Sequence, residues 1–126
     1  MKNALLILLF LGVLSSCEAQ VAEKLAPEVF KAQYENESNA YQIIDLRTDE
    51  EVAEGKVSGA TQLDFYSDDF EENLQKLDKS VTYYIYCRSG GRSGKTLSKM
   101  KELGFDKVYD MQGGMNAWLA SGFPTE

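Results

Sequence analysis

Cys87-Arg88-Ser89-Gly90-Gly91-Arg92-Ser93 follows directly on the apolar run 81–86. A strand-end cysteine, two glycines and two arginines in the next five positions, then a serine able to open a helix, are the parts of a thiolate facing an anion site. Glycine adopts positive φ without steric cost, so the backbone around Gly90 and Gly91 can curl and aim successive N–H groups at one point. The helix expected from Ser93 adds further N–H groups and a partial positive charge. A thiolate at that focus is favoured by the dipoles and by the guanidinium groups of Arg88 and Arg92, which lowers a thiol pKa from its ordinary value of about 8.5. A tenfold gain in the ratio of thiolate to thiol takes about 1.4 kcal/mol of such stabilisation. The same cradle suits a terminal persulfide sulfur or an incoming oxyanion. A plainer alternative is a buried cysteine before a glycine turn, but two arginines and a serine exceed what a turn requires.

Composition removes most other chemistries. There is no histidine, so Cys-His dyads, Ser-His-Asp triads and histidine metal sites are excluded. The two cysteines, Cys17 and Cys87, lack the spacing of a zinc cluster or a C-x-x-C redox motif, and neither a metal nor a cofactor is expected. A net charge of −7, with 20 acidic against 13 basic residues, argues against nucleic acid as a partner. The 126 residues, 44% of them hydrophobic, suffice for one compact domain and one core.

Lys2 and the apolar run 4–14 have the shape of a signal peptide, and the run falls short of the roughly 20 residues that span a bilayer. Leu14-Ser15-Ser16-Cys17 resembles the bacterial lipobox, in which the cysteine is lipidated and becomes the mature N-terminus. The expected organisation is therefore a lipoprotein signal peptide over 1–16, a lipid-anchored tether over 17–25 and a domain over 26–126. The protein is expected to be exported and anchored to a bacterial membrane, on its periplasmic face or at the cell surface, by acyl chains on Cys17. Ordinary cleavage after Cys17-Glu18-Ala19 is the alternative, releasing a soluble secreted protein. Either way a Cys17–Cys87 disulfide is not expected, and Cys87 is left as an unpaired thiol in an exported domain.

The mature chain alternates helix and strand signals. Pro27 opens a helix through about Tyr34, and Tyr41–Leu46 reads as a buried strand. Thr48-Asp49-Glu50-Glu51 is a capping box starting a short helix that Gly55 ends. A strand follows around Ala60–Asp64, then a helix capped by Ser67 with Phe70, Leu74 and Leu77 on one face. Residues 81–86 form the strongest strand, rich in β-branched and aromatic residues. Leu97, Met100 and Leu103 mark a helix from Ser93 that Gly104 stops; a strand over Lys107–Met111 and a helix over Met115–Ala120 complete the chain. Such alternation implies an α/β fold with a parallel sheet covered on both faces and ligands at the carboxyl ends of its strands, where Cys87 sits.

At these residues the chain resembles a single-domain rhodanese, from about Pro27 to Pro124. The resemblance rests on Asp45-Leu46-Arg47, Gly55-Lys56-Val57-Ser58-Gly59-Ala60, the loop Cys87–Arg92, and Gly113-Gly114-Met115-Asn116-Ala117-Trp118 with Gly122 and Pro124. It implies a three-layer fold with a central five-stranded parallel sheet and helices on both faces. It also implies a Cys87 nucleophile that takes sulfane sulfur from a small donor such as thiosulfate or a persulfide and passes it to cyanide or a thiol, such as a thioredoxin-like protein. In that family the N–H groups of Arg88, Ser89, Gly90, Gly91 and Arg92 wrap the persulfide, while Asp45 and Arg47 stand beside the loop and help hold it. The spacing Cys87 to Arg92 resembles the C-x4-R loop of rhodaneses, whereas phosphatases of this fold use C-x5-R. Lys56 departs from the histidine of many relatives and is expected to alter only local surface charge. Acidity around a cationic loop favours a protein or weakly charged donor. Arg88, free at the loop mouth, is expected to guide the donor, and Arg92 to brace the loop and the developing charge. The chain is expected to be a monomer. Two other readings remain: a phosphatase-like or arsenate-related enzyme, and a lipid-tethered persulfide carrier or redox sensor without turnover.

Overall fold

The computed structural model describes residues 19–126 together with Gly12. The expected signal peptide, Gly12 apart, and Cys17 lie outside these described residues. In chain order the elements are β1 (Val21–Leu25), α1 (Pro27–Glu35), β2 (Tyr41–Asp45), α2 (Asp49–Ala53), β3 (Thr61–Gln62), α3 (Phe70–Lys76), β4 (Thr82–Tyr86), α4 (Gly91–Glu102), β5 (Lys107–Met111) and α5 (Gly114–Ala120). The strands form one parallel sheet in the order β1-β5-β4-β2-β3.

The sheet is organised around β4, all five residues of which are buried. Side chains alternate across a strand, so Tyr83, Ile85 and the following Cys87 join one core cluster while Tyr84 and Tyr86 join the other. The first cluster packs under α3 and α4 through Phe70, Leu74, Leu97 and Met100. Phe30, Met115 and Trp118 of α1 and α5 cover the opposite face. Burying each such large apolar side chain contributes about 1.5–3 kcal/mol, provided its polar atoms are satisfied. The tyrosines meet that condition: Tyr83 donates its hydroxyl to the Asp78 carbonyl at 2.8 Å and Tyr84 to Glu37 Oε1 at 2.9 Å. This is the three-layer fold expected from the sequence.

Several local expectations hold. Pro27 occupies the first turn of α1, and Thr48 and Glu51 close a reciprocal capping box on α2. Others are corrected. Val21–Leu25, read as part of the tether, forms β1 and pairs in parallel with β5 from Val21↔Lys107 to Leu25↔Met111. An edge strand is held by its main-chain ladder and is only partly covered, so its side chains show no clear alternation. The Ser67 hydroxyl does not cap α3. Its backbone carbonyl accepts from Phe70 N–H at 3.0 Å, its hydroxyl turns to the Asp69 carboxylate, and Asp69 takes the cap position. β3 is shorter than expected, and α4 starts at Gly91, two residues before Ser93. Among the described residues no helix is long and apolar enough to cross a membrane.

Candidate active site

The carboxyl ends of β2 and β4 bring Asp45, Arg47 and Cys87 to one end of the sheet, as parallel topology requires. Cys87 is 1% exposed, and the loop behind it closes around its sulfur. Gly90 N–H donates to Sγ at 3.1 Å and Ser93 N–H at 3.4 Å, with Ser93 Oγ also 3.4 Å away. The turn depends on Gly90, whose φ of +109° would strain any residue with a Cβ. Starting α4 at Gly91 places Ser93 in its first turn, where backbone N–H groups have no helical partner and can serve the sulfur instead. Burial pushes the Cys87 thiol pKa up, but the Ser93 hydroxyl and the N–H groups of Ser93, Gly90 and Ser89 outweigh it, and the net shift is downward.

The outer side of the loop is tied to α5. Met115 N–H donates to the Cys87 carbonyl at 2.8 Å and Asn116 N–H to the Arg88 carbonyl at 3.0 Å. With these carbonyls held outward, the next N–H groups are free to turn in toward the sulfur. The approach requires Gly114: at φ +57°, an added Cβ would run into the Cys87 carbonyl oxygen and lie 2.7 Å from Arg88 C and O.

Arg92 braces the loop through a residue that the sequence suggested only as a cap. Its Nη1 and Nη2 donate to Glu51 Oε1 and Oε2 at 2.7 and 2.9 Å, and the Tyr66 ring lies 5.5 Å from its guanidinium carbon. This pair holds the Glu51 carboxyl down at about 2. The Arg92 charge is thus met first by Glu51, leaving the backbone as the principal host for an anion at Sγ. Arg88 and Ser89 are exposed at the mouth. With Phe65, Tyr66, Arg92 and Lys95 they line an open cleft of about 390 Å³ leading to Cys87.

Asp45 and Arg47 sit behind the loop in a closed network. Arg47 Nη2 donates to Asp45 Oδ2 at 2.8 Å and to the Gly55 carbonyl at 2.7 Å, and Tyr86 Oη donates to Asp45 Oδ2 at 2.6 Å. Their hold on the loop runs through Tyr86, the residue before Cys87.

The Rhodanese-like domain family matches residues 26–121. The chain belongs to the rhodanese-like family. YtwF of Bacillus subtilis is 36% identical over 96 residues, covering 76% of this chain and 89% of that protein. Thiosulfate sulfurtransferase 16, chloroplastic, of Arabidopsis thaliana is 30% identical, covering 68% of this chain and 80% of its own length. A rhodanese-like domain protein from Staphylococcus aureus superposes with a TM-score of 0.65 at 33% identity, covering 76% of this chain and 90% of that one. This rhodanese is accordingly a sulfurtransferase.

Lys56, the departure from the family pattern, is tied down rather than loose. Its Nζ donates to the Ala60 carbonyl at 2.8 Å and lies 3.4 Å from Glu126 Oε1, fastening the C-terminus to the loop before β3. Sequence reasoning missed three parts of the site: Glu51 as the partner of Arg92, the Met115 and Asn116 N–H groups as supports of the loop carbonyls, and the aromatic wall of Phe65 and Tyr66. Asp110 of β5, beside the partly buried Tyr109, is a further carboxylate that the fold buries, at 1% exposed.

Proposed function

We propose that Cys87 is the nucleophile of a sulfur relay. The observation that carries this reading is the ring of N–H donors converging on Sγ from Gly90 and Ser93 while the Cys87 and Arg88 carbonyls are held away by α5. The Cys87 thiolate attacks the outer sulfur of a sulfane donor, forming a new S–S bond as the donor's own S–S bond breaks and its electron pair leaves with the donor remnant. With thiosulfate the remnant is sulfite, and Cys87 is left as a persulfide anion whose terminal sulfur the loop can host by the same dipoles. An acceptor thiolate, or cyanide, then takes the terminal sulfur and returns Cys87 as a thiolate.

Thiosulfate is favoured as a donor by the name of the Arabidopsis relative. A protein thiol is favoured as acceptor by the open cleft, in which exposed Arg88 and Lys95 flank Phe65 and Tyr66. The lipobox-like Cys17 favours an exported, acyl-anchored protein; labelling by a radioactive fatty acid that is lost in Cys17→Ala would support the anchor, and labelling that persists would refute it. Activity is tested by steady-state transfer from thiosulfate to cyanide and to a dithiol. Turnover that disappears in Cys87→Ser while the fold survives is expected. Inert wild type with both acceptors, or an active Cys87→Ser, would overturn the proposal.

A further inference from the structure

Tyr66 is the most exposed large apolar side chain among the described residues, at 67%, and it stands in the wall of the cleft that leads to Cys87. An exposed aromatic ring is ordinarily free to swing, but this one is fixed. Its backbone N–H donates to Asp64 Oδ1 at 2.9 Å, in a turn tied to the end of β2: Leu63 N–H donates to the Asp45 carbonyl at 2.8 Å and Phe65 N–H to the Leu46 carbonyl at 3.1 Å. The Phe65 ring meets the Tyr66 ring edge-on with centroids 5.3 Å apart, and is itself packed on Phe70, 5.1 Å away, at the margin of the core. The Arg92 guanidinium, gripped by Glu51, lies 5.5 Å from the centre of the Tyr66 ring. Contacts of both kinds favour one placement of the ring. A ring already placed loses little freedom when a ligand packs on it, so Tyr66 is a preorganised surface.

The turn does not need that ring, since Asp64 and the end of β2 hold the backbone, and Glu51 already satisfies the Arg92 charge. The cleft beside it measures about 390 Å³, within the range of about 300–1,000 Å³ that takes organic ligands, and far more than a small inorganic anion fills. Among the described residues no carboxylate lines it, and its exposed cations, Arg88 and Lys95, form no salt bridge. The wall therefore offers cations to a charged group bonded to the reacting sulfur, and an aromatic face to the substituent which that group carries.

We propose that Tyr66 determines donor specificity, selecting sulfane donors with an aromatic substituent on the charged group next to the transferred sulfur. An arenethiosulfonate represents the class: its ring packs on Tyr66, its sulfonyl oxygens face Arg88 and Lys95, and its outer sulfur reaches Cys87. The Cys87 thiolate bonds to that outer sulfur as the bond to the sulfonyl sulfur breaks, and the electron pair leaves with the arenesulfinate. Cys87 is left as the persulfide anion, with total charge unchanged and no proton or further reactant required.

Tyr66 can select a donor only if Cys87 relays sulfur as proposed above, so the experiment is arranged to let the two fail separately. kcat/KM is measured for benzenethiosulfonate, methanethiosulfonate and thiosulfate, with cyanide as acceptor. Dividing the benzene-to-methane ratio of wild type by that of Tyr66→Ala cancels the intrinsic reactivity of the donors and leaves the contribution of the ring, expected to be about three- to tenfold. Tyr66→Phe should keep the wild-type ratio. If Tyr66 served only to shield the Arg92–Glu51 pair, Tyr66→Ala would slow both organic donors alike, and a quotient near one would overturn the inference. Wild type alone supplies a second check: benzenesulfinate should inhibit transfer from thiosulfate at concentrations at least about threefold below methanesulfinate, and equal inhibition would likewise overturn it. Folded wild type inert toward all three donors would remove the relay and the selectivity together. Turnover of thiosulfate with a quotient near one would remove the selectivity alone.

Discussion

Asp45 and Asp110 are both buried carboxylates near the carboxyl ends of parallel strands, on opposite faces of the same sheet, and the protein treats them in opposite ways. Asp45 is fully satisfied: the Arg47 guanidinium grips it through Nε and Nη2, Arg47 N–H donates to it at 3.0 Å, and the Tyr86 hydroxyl donates at 2.6 Å. Asp110 has one oxygen with no partner and no salt bridge among the described residues, Lys24 on the neighbouring edge strand being the one cation that favours its charge. A buried carboxylate with a complete shell is a fixed anchor, costly to disturb and poorly suited to exchanging protons. One with an incomplete shell is strained in its charged form and free to change protonation. The two lie on opposite faces of the sheet, and Tyr86, the residue before Cys87, links only to the first.

Removing each in turn should separate these roles. Asp45→Ala leaves the Arg47 charge buried and unpaired, and urea denaturation should show a loss of about 3–5 kcal/mol. A loss below about 1 kcal/mol would mean that the network is not an anchor. Asp110→Asn should act in the reverse direction. Its carboxyl binds a proton more readily folded than unfolded, so wild-type stability rises as pH falls from about 6 toward the ordinary carboxylate value of 3.8. The variant should therefore gain on the order of 1–2 kcal/mol at pH 7 and nothing near pH 4. A constant difference across that range would break the contrast with Asp45. Glu51→Gln provides the smallest and opposite pH signature. Arg92 holds the Glu51 carboxyl at about 2, so the stabilisation is complete above 4.5 and disappears as pH falls toward 2. The variant should lose about 1 kcal/mol at neutral pH and converge on wild type in acid, as acid unfolding curves would record.

The legible parts of this protein were those written in local pattern. Residues 81–86 read as the strongest strand because β-branched and aromatic residues crowd a short run, and the loop after it read as an anion cradle because its residue types have few other uses together. The capping box was visible in four letters. What stayed hidden depends on long-range pairing. Nothing near Val21–Leu25 reveals that β5 supplies its ladder, since an edge strand needs main-chain bonds more than an apolar face. Glu51 satisfies a local cap so well that its bond to Arg92, 41 residues away, is invisible until the fold brings them together. The same holds for Gly114, whose requirement comes from a close approach to Cys87 and Arg88 rather than from its own turn alone. The edge strand β1 and the loop's supports therefore required the structure, while the candidate nucleophile did not.

The central claim is that sulfur rests on Cys87. Intact-protein and peptide mass spectrometry after incubation with thiosulfate, without reductant, tests it most directly. One added sulfur atom on the peptide containing Cys87, discharged by a thiol and absent from Cys87→Ser, is the predicted result. No adduct on the folded wild-type protein, or the same added sulfur in Cys87→Ser, would contradict the account.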